Sequence, residues 1–143
     1  MPKDAVDFIN SQRVCVLALE MQDGSPHGST VHVAYDDNSQ TFFFETYNTY
    51  RKGEILLAKD KVRASVVIGL DEQTRKTLQL DGEARIIKSE EKELFNKIYL
   101  GKFPEKIEKS KDPKYVFFCF NAHWWRYTNW GGKSGKEIVT SEI

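Results

Sequence analysis

Residues 77–87, TLQLDGEARII, alternate without a break. Leu78, Leu80, Gly82, Ala84 and Ile86 fall on one side of an extended chain, and Thr77, Gln79, Asp81, Glu83 and Arg85 on the other. Successive side chains of a strand point to opposite faces, so this stretch reads as a half-buried strand with its apolar side on a core. Such a strand cannot stand alone, because its backbone N–H and C=O groups need partners. The chain supplies candidates: VCVLALE (14–20), PHGSTVHVAY (26–35), TFFFET (41–46) and VRASVVIGL (62–70) read as strands. YVFFCFN (115–121) and HWWRYTN (123–129) read as a last strand or strand pair. QDGS, DDNSQ and DEQTRK supply turns, and the first two predict an antiparallel meander over the first three strands.

Three helical patterns interrupt the strands. Residues 3 to 12 place Ala5, Val6, Phe8 and Ile9 on one side. A second helix is expected from Tyr50 to about Lys59, with Ile55, Leu56 and Leu57 available to a core. A third runs from a Ser89 cap to about Leu100, with acids in its first turn and a solvated Lys/Glu face. KFPEKIEKSKDPK reads as a polar connector, and the tail from Trp130 as loosely held. About six strands with two or three short flanking helices predict a mainly β fold, a small antiparallel barrel. With no internal repeat or boundary, residues 1–143 read as a single domain.

Lys plus Arg and Asp plus Glu both number 21, so the formal charge is zero. That argues against a non-specific nucleic-acid binder, which gains affinity from many cation–phosphate contacts, but leaves room for a local anion site. MPKDAVDFINSQ lacks a secretory apolar region, and no apolar run is long enough to cross a bilayer. The expectation is a soluble, cytoplasmic protein that contacts no membrane. Cys15 and Cys119 sit inside apolar runs and read as small core residues.

The feature that asks for an explanation is FFFETYNTYRKGEIL (42–56). If Thr49 caps the helix, Arg51 and Lys52 lie in its first turn, where the backbone already carries partial positive charge and acids are favoured. A bound anion reverses that sign: helix N–H groups, threonine hydroxyls and two cations are the components of a phosphate site. The alternative is that both side chains are solvated or paired with acids such as Glu54.

Other motifs carry less. His27 and His32 are an odd number apart, so a regular strand cannot bring both to one metal, and structural roles are expected for them and for His123. WGGKSGKE (130–137) departs from the phosphate-loop pattern at Trp130 and Glu137. Trp124 and Trp125 must face opposite sides, one toward a core and the other toward an interface or ligand.

Taken in order and spacing, DGSPHGSTVHVAYDD, TFFFETYNTYRKGEIL, KVRASVVIG and TLQLDGEARII resemble the pyridoxamine 5'-phosphate oxidase-like FMN-binding split barrels, over roughly residues 5 to 100. The resemblance implies a six-stranded split β-barrel homodimer with FMN at the subunit interface and a flavin-dependent oxidoreductase activity. It implies that Arg51 and Lys52 bind the FMN phosphate, and that Glu45 and Thr46 contact the flavin and its phosphate-bearing chain. Ser29, Thr30 and Val31 match the segment lying along the isoalloxazine, largely through backbone, and Thr77 falls where the oxidase has a flavin-contacting glutamine.

The substrate half of the pattern departs. Ala34 stands at the place of the oxidase's substrate-binding lysine. Tyr99 matches its helical tyrosine, but Phe103 replaces the arginine four residues on, and its late Arg-x-His signature reads Arg126-Tyr-Thr. Oxidation of pyridoxamine phosphate itself is therefore not expected, and no residue stands out as an acid or base. Two other readings stay open: a protein that holds flavin without turnover, and a barrel that takes a deazaflavin or haem, as relatives of this fold do.

Overall fold

Each strand's alternation decides which neighbours it can take, and in the computed structural model, which describes residues 1–69 and 71–141, those choices build one antiparallel sheet. The elements in chain order are α1 (Lys3–Ser11), β1 (Val14–Glu20), β2 (Pro26–His32), β3 (Ala34–Asp36), β4 (Thr41–Tyr47), α2 (Arg51–Ala58), β5 (Val62–Ile68), β6 (Lys76–Ile86), α3 (Lys92–Phe95), β7 (Tyr115–Gly132) and β8 (Gly135–Thr140). The hydrogen-bonded order is β2-β1-β5-β6-β7-β4-β3, with β8 added on β7. The described residues thus form eight strands where about six were expected. Leu70, at the end of the expected 62–70 strand, and residues 142–143 of the tail lie outside the described residues.

Three differences account for the count. First, the expected 26–35 strand divides at Val33, whose N–H donates to Arg13 O at 3.0 Å. β2 pairs with β1 and β3 pairs with β4, so the three-strand meander does not form. β2 and β3 end the sheet at opposite edges yet are separated in the chain by Val33 alone. The sheet therefore rolls until its edges meet without a ladder between them, which is a split barrel. Second, the last strand pair is one 18-residue strand, β7. A bulge opposite Asp81 and Gly82 gives β7 one extra residue, His123, and such bulges bend a strand. Gly82 is required there, since a Cβ would come within 2.1 Å of Asn121 O. Third, the expected loose tail is a hairpin: Gly132 faces Gly135 across the turn, and Tyr127 faces Val139. That turn, Lys133–Ser134, is the middle of the WGGKSGKE stretch (130–137).

The core has two parts. The barrel interior holds Phe8 and Ile9 of α1, Leu17, Phe42, Phe44, Val66, Leu78, Leu80, Phe118 and Phe120, with Ile55 and Leu56 of α2. A smaller cluster of Ala34, Phe43, Phe95, Tyr99, Phe103 and Cys119 lies under the helical segment after β6. The triple phenylalanine is explained by β4's two buried faces: Phe42 and Phe44 enter the barrel and Phe43 the second cluster. Both cysteines are buried and free, and burial pushes the Cys15 thiol up to about 12 and Cys119 to about 11.

Ser89 does not cap the third helix. Glu91 instead accepts the Lys88 N–H at 2.7 Å and takes a bidentate pair from Arg85 at 2.7 and 2.8 Å. The helix continues past α3 through a π-helical turn, Asn96–Leu100. Nor is the connector merely polar: Phe103 is fully buried, and Lys102 Nζ donates to Gln12 O at 2.5 Å and Val33 O at 2.8 Å. That one ammonium ties α1, the β2–β3 junction and the connector together. Among the described residues no helix is long and apolar enough to cross a membrane.

Candidate functional site in the barrel split

β4 pairs with β3 only through Thr41, Phe42 and Phe43, so its edge from Phe44 to Tyr47 is open toward β2. β2 in turn bonds only to β1. Between these two unpaired edges lies a cleft of about 190 Å³. Thr30, Val31 and His32 line it from β2, and Glu45, Thr46 and Tyr47 from β4. α2 contributes Lys52 at its start, the helical segment Tyr99 and Lys106, and β7 Tyr115.

Three buried side-chain oxygens among the described residues have no hydrogen-bond partner: Ser29 Oγ, Glu45 Oε2 and Thr46 Oγ1. Folded proteins seldom leave such atoms bare, because each costs about 1–3 kcal/mol in lost hydration. All three belong to residues that the family resemblance implies for cofactor contact. In the cleft with Glu45 and Thr46, Lys52 is 9% exposed and in no ion pair among the described residues. Its ammonium lies 5.6 Å from the Tyr50 ring centroid, and burial lowers its pKa. Lys106 pairs with Glu45 Oε1 at 3.2 Å. Two ammonium groups and one carboxylate leave the cleft with a positive excess near neutral pH, which suits an anion.

Local chemistry sets Lys52 in place. Tyr50, not Thr49, is the residue before the helix, and no side chain caps the helix start. The first turn packs directly on the end of β4, where a Cβ on Gly53 would lie 2.1 Å from Tyr47 O. Only glycine after Arg51-Lys52 lets the helix start approach the strand so closely.

The structure does not bring all the expected residues to one point. Thr30, Val31, Glu45, Thr46 and Lys52 share the cleft. Ser29 is their neighbour on β2, with its hydroxyl buried. Arg51, about 100° around the helix from Lys52, is exposed and lines a separate hollow with Met21 and Asp23. Thr77 lines another, beside Arg75 and Trp130.

Residues that were not assigned to the cofactor also enter. His32 meets the Phe103 ring edge-on at 5.1 Å, and desolvation, helped by Lys106 and Arg13, lowers its pKa. Tyr47 stacks on Tyr115 at 4.5 Å. Burial first, and then the Glu45 charge, push the Tyr99 hydroxyl well above its ordinary pKa. Ala34 and Phe103, at the places of the oxidase's substrate cations, are both buried in the second core cluster.

Residues 1–129 match the sequence model of the pyridoxamine 5'-phosphate oxidase family. The chain belongs to that family. No curated protein matches it in sequence. Among solved structures, it is similar to a Clostridium acetobutylicum protein related to general stress protein 26 of B. subtilis, of the pyridoxinephosphate oxidase family. That match has 18% identity and a TM-score of 0.68, over 98% of this chain and 92% of the other. A haem-binding protein from Mycobacterium smegmatis matches at 18% identity and a TM-score of 0.74, over 98% of this chain and 59% of that one. A nimC/nimA family protein of Clostridium acetobutylicum matches at 20% identity and a TM-score of 0.62, over 96% and 90%. At such identities these likenesses establish the split-barrel fold.

Proposed function

We propose that the chain binds FMN in the split, as a homodimer with the cofactor at the subunit boundary, and acts as a flavin-dependent oxidoreductase in the cytoplasm. The observation that carries this reading is that a buried Lys52, in no ion pair among the described residues, lines the same cleft as Thr46, whose buried hydroxyl has no partner. A phosphate supplies the charge that Lys52 lacks and acceptors for the threonine hydroxyl. Arg51, long and exposed, would have to swing from its own hollow to reach the phosphate from outside. Along β2 the open backbone edge offers N–H and C=O groups to a flat heterocycle beside Thr30 and Val31. Lys106 pairs with Glu45 and keeps it in place at the ring's edge. When bound, the isoalloxazine supplies the electron chemistry, and the protein's part is placement and tuning.

A cleft of about 190 Å³ is smaller than the roughly 300–1,000 Å³ of pockets that enclose a drug-sized ligand. The remainder of the flavin then lies against a second subunit, and Thr77 reaches it from there. With Ala34 and Phe103 at the places that the resemblance gives to the oxidase's substrate cations, the reading takes a substrate other than pyridoxamine phosphate.

Haem is the second reading. His32 lines the cleft, its lowered pKa favours the neutral imidazole that ligates iron, and Lys52 and Lys106 suit two propionates. The absorption spectrum of the purified protein, with the mass of what acid releases, separates the readings. Flavin bands and the mass of FMN are expected. A Soret band abolished by His32→Ala would favour haem, and the mass of a deazaflavin would keep the anion site while changing the ring. A colourless protein that takes up no added FMN would contradict the proposal. Reduction of the bound flavin by NAD(P)H would separate an enzyme from a protein that only holds the cofactor.

A further inference from the structure

Tyr115 lines a second hollow as well as the cleft. This one is about 440 Å³, within the range of small-molecule pockets, and its character is different. Leu57, Ile86, Val116 and Phe117 make an apolar floor. Leu57 is 58% exposed on α2, although helix patterning places polar residues on a solvent face. The charged side chains that line the hollow, Lys88 and Lys92, are both cationic.

Lys92 is the unusual one. Its ammonium sits 3.4 Å from the Phe117 ring centroid and 5.1 Å from that of Phe95. It is in no ion pair among the described residues, and desolvation lowers its pKa against the partial support of Glu45. The preceding acid, Glu91, is held by Arg85 and the Lys88 N–H instead. Aromatic faces attract the ammonium but give it no counter-charge.

We propose that this groove binds an amphipathic anion, an aromatic or medium-chain aliphatic carboxylate, with its apolar body on Leu57, Ile86 and Val116 and its carboxylate on Lys92. Charge complementarity selects this occupant over an apolar partner surface. Covering Lys92 with apolar groups would bury an ammonium without a counter-ion, which is costly, whereas a carboxylate removes that cost. The proposal does not depend on which cofactor occupies the split.

The test is calorimetric titration of the full-length protein with decanoate and 1-naphthoate, and with decanamide as the uncharged counterpart. One saturable site is expected, with decanoate bound at least tenfold more tightly than decanamide. Lys92→Met, which still covers Phe117, should abolish that preference. Leu57→Glu, at an exposed position, should weaken every probe at least tenfold while FMN uptake is unchanged. Absence of saturable binding, or a carboxylate preference that survives Lys92→Met, would overturn the proposal. So would a wild-type self-association that Leu57→Glu dissolves without any carboxylate binding, since the groove would then be a contact between copies. Flavin uptake, followed in the same samples, reports on the split separately.

Discussion

Thr46 and Ser29 hold hydroxyls away from water with nothing to bond, and a molecule kept for its ligand is the natural place for such atoms. Thr46→Val keeps the shape and removes the bare oxygen. The ligand-free protein should become more stable, by about 1 kcal/mol, because an unsatisfied buried polar group is lost. The same substitution should weaken FMN binding, so urea unfolding without cofactor and flavin-fluorescence titration should move in opposite directions. If both stability and affinity fall, the hydroxyl has a structural partner. At this scale the sequence was informative where the site is local. Thr46 and Lys52 lie within seven residues of one another, so strand and helix rules could place them together, and the resemblance added Glu45. Lys106 comes from 61 residues beyond Glu45, and no periodicity connects them. Arg51 was legible as a cation at the helix start, but adjacent helical residues diverge, and its direction was not.

At the scale of elements, close approaches decide the site's shape. Replacing a helical glycine by alanine ordinarily stabilises a helix by about 0.5–1 kcal/mol. Gly53→Ala should do the reverse, destabilising by about 1–3 kcal/mol, because its Cβ meets Tyr47 O at 2.1 Å. A thermal melt that rises for Gly53→Ala would mean α2 does not pack on β4 in this way. The Arg85–Glu91 pair joins β6 to the helical segment and sets a pH dependence. Arg85 holds the Glu91 carboxyl down to about 2, from an ordinary 4.5. The pair's contribution is therefore full above about pH 4.5 and is lost as the pH falls toward 2. Glu91→Gln should remove about 1.5–3 kcal/mol at pH 7 and flatten that acid loss in denaturant midpoints. Strands with clean alternation were legible, as β6 demonstrates. The division at Val33 was not, because apolar alternation runs through it and the cause is a hydrogen bond to Arg13 in the link between α1 and β1. β8 was missed because Gly-rich turn residues precede it and its Ile138 and Val139 stay exposed, so burial left no mark on the sequence.

For the whole molecule, the consequential feature is a sheet whose two edges are brought together by a single residue and left unzipped. The open edges of β2 and β4 create a cleft, and a small cleft calls for a second surface. Sedimentation of the flavin-loaded protein should accordingly give twice the chain mass of 16.6 kDa. A flavin-loaded monomer would contradict the shared site. Fold class and a small antiparallel barrel followed from repeated short strands, but the place of the split did not, because it depends on which edges meet after eight strands have rolled. The central claim is that the split recognises its ligand by the phosphate. The most direct measurement is a pair of titrations of the same protein with FMN and with riboflavin, which lacks only that group. FMN should bind at least a hundredfold more tightly, and Lys52→Met should reduce the difference by tenfold or more. Equal affinity for the two flavins, or an FMN preference untouched by Lys52→Met, would contradict it.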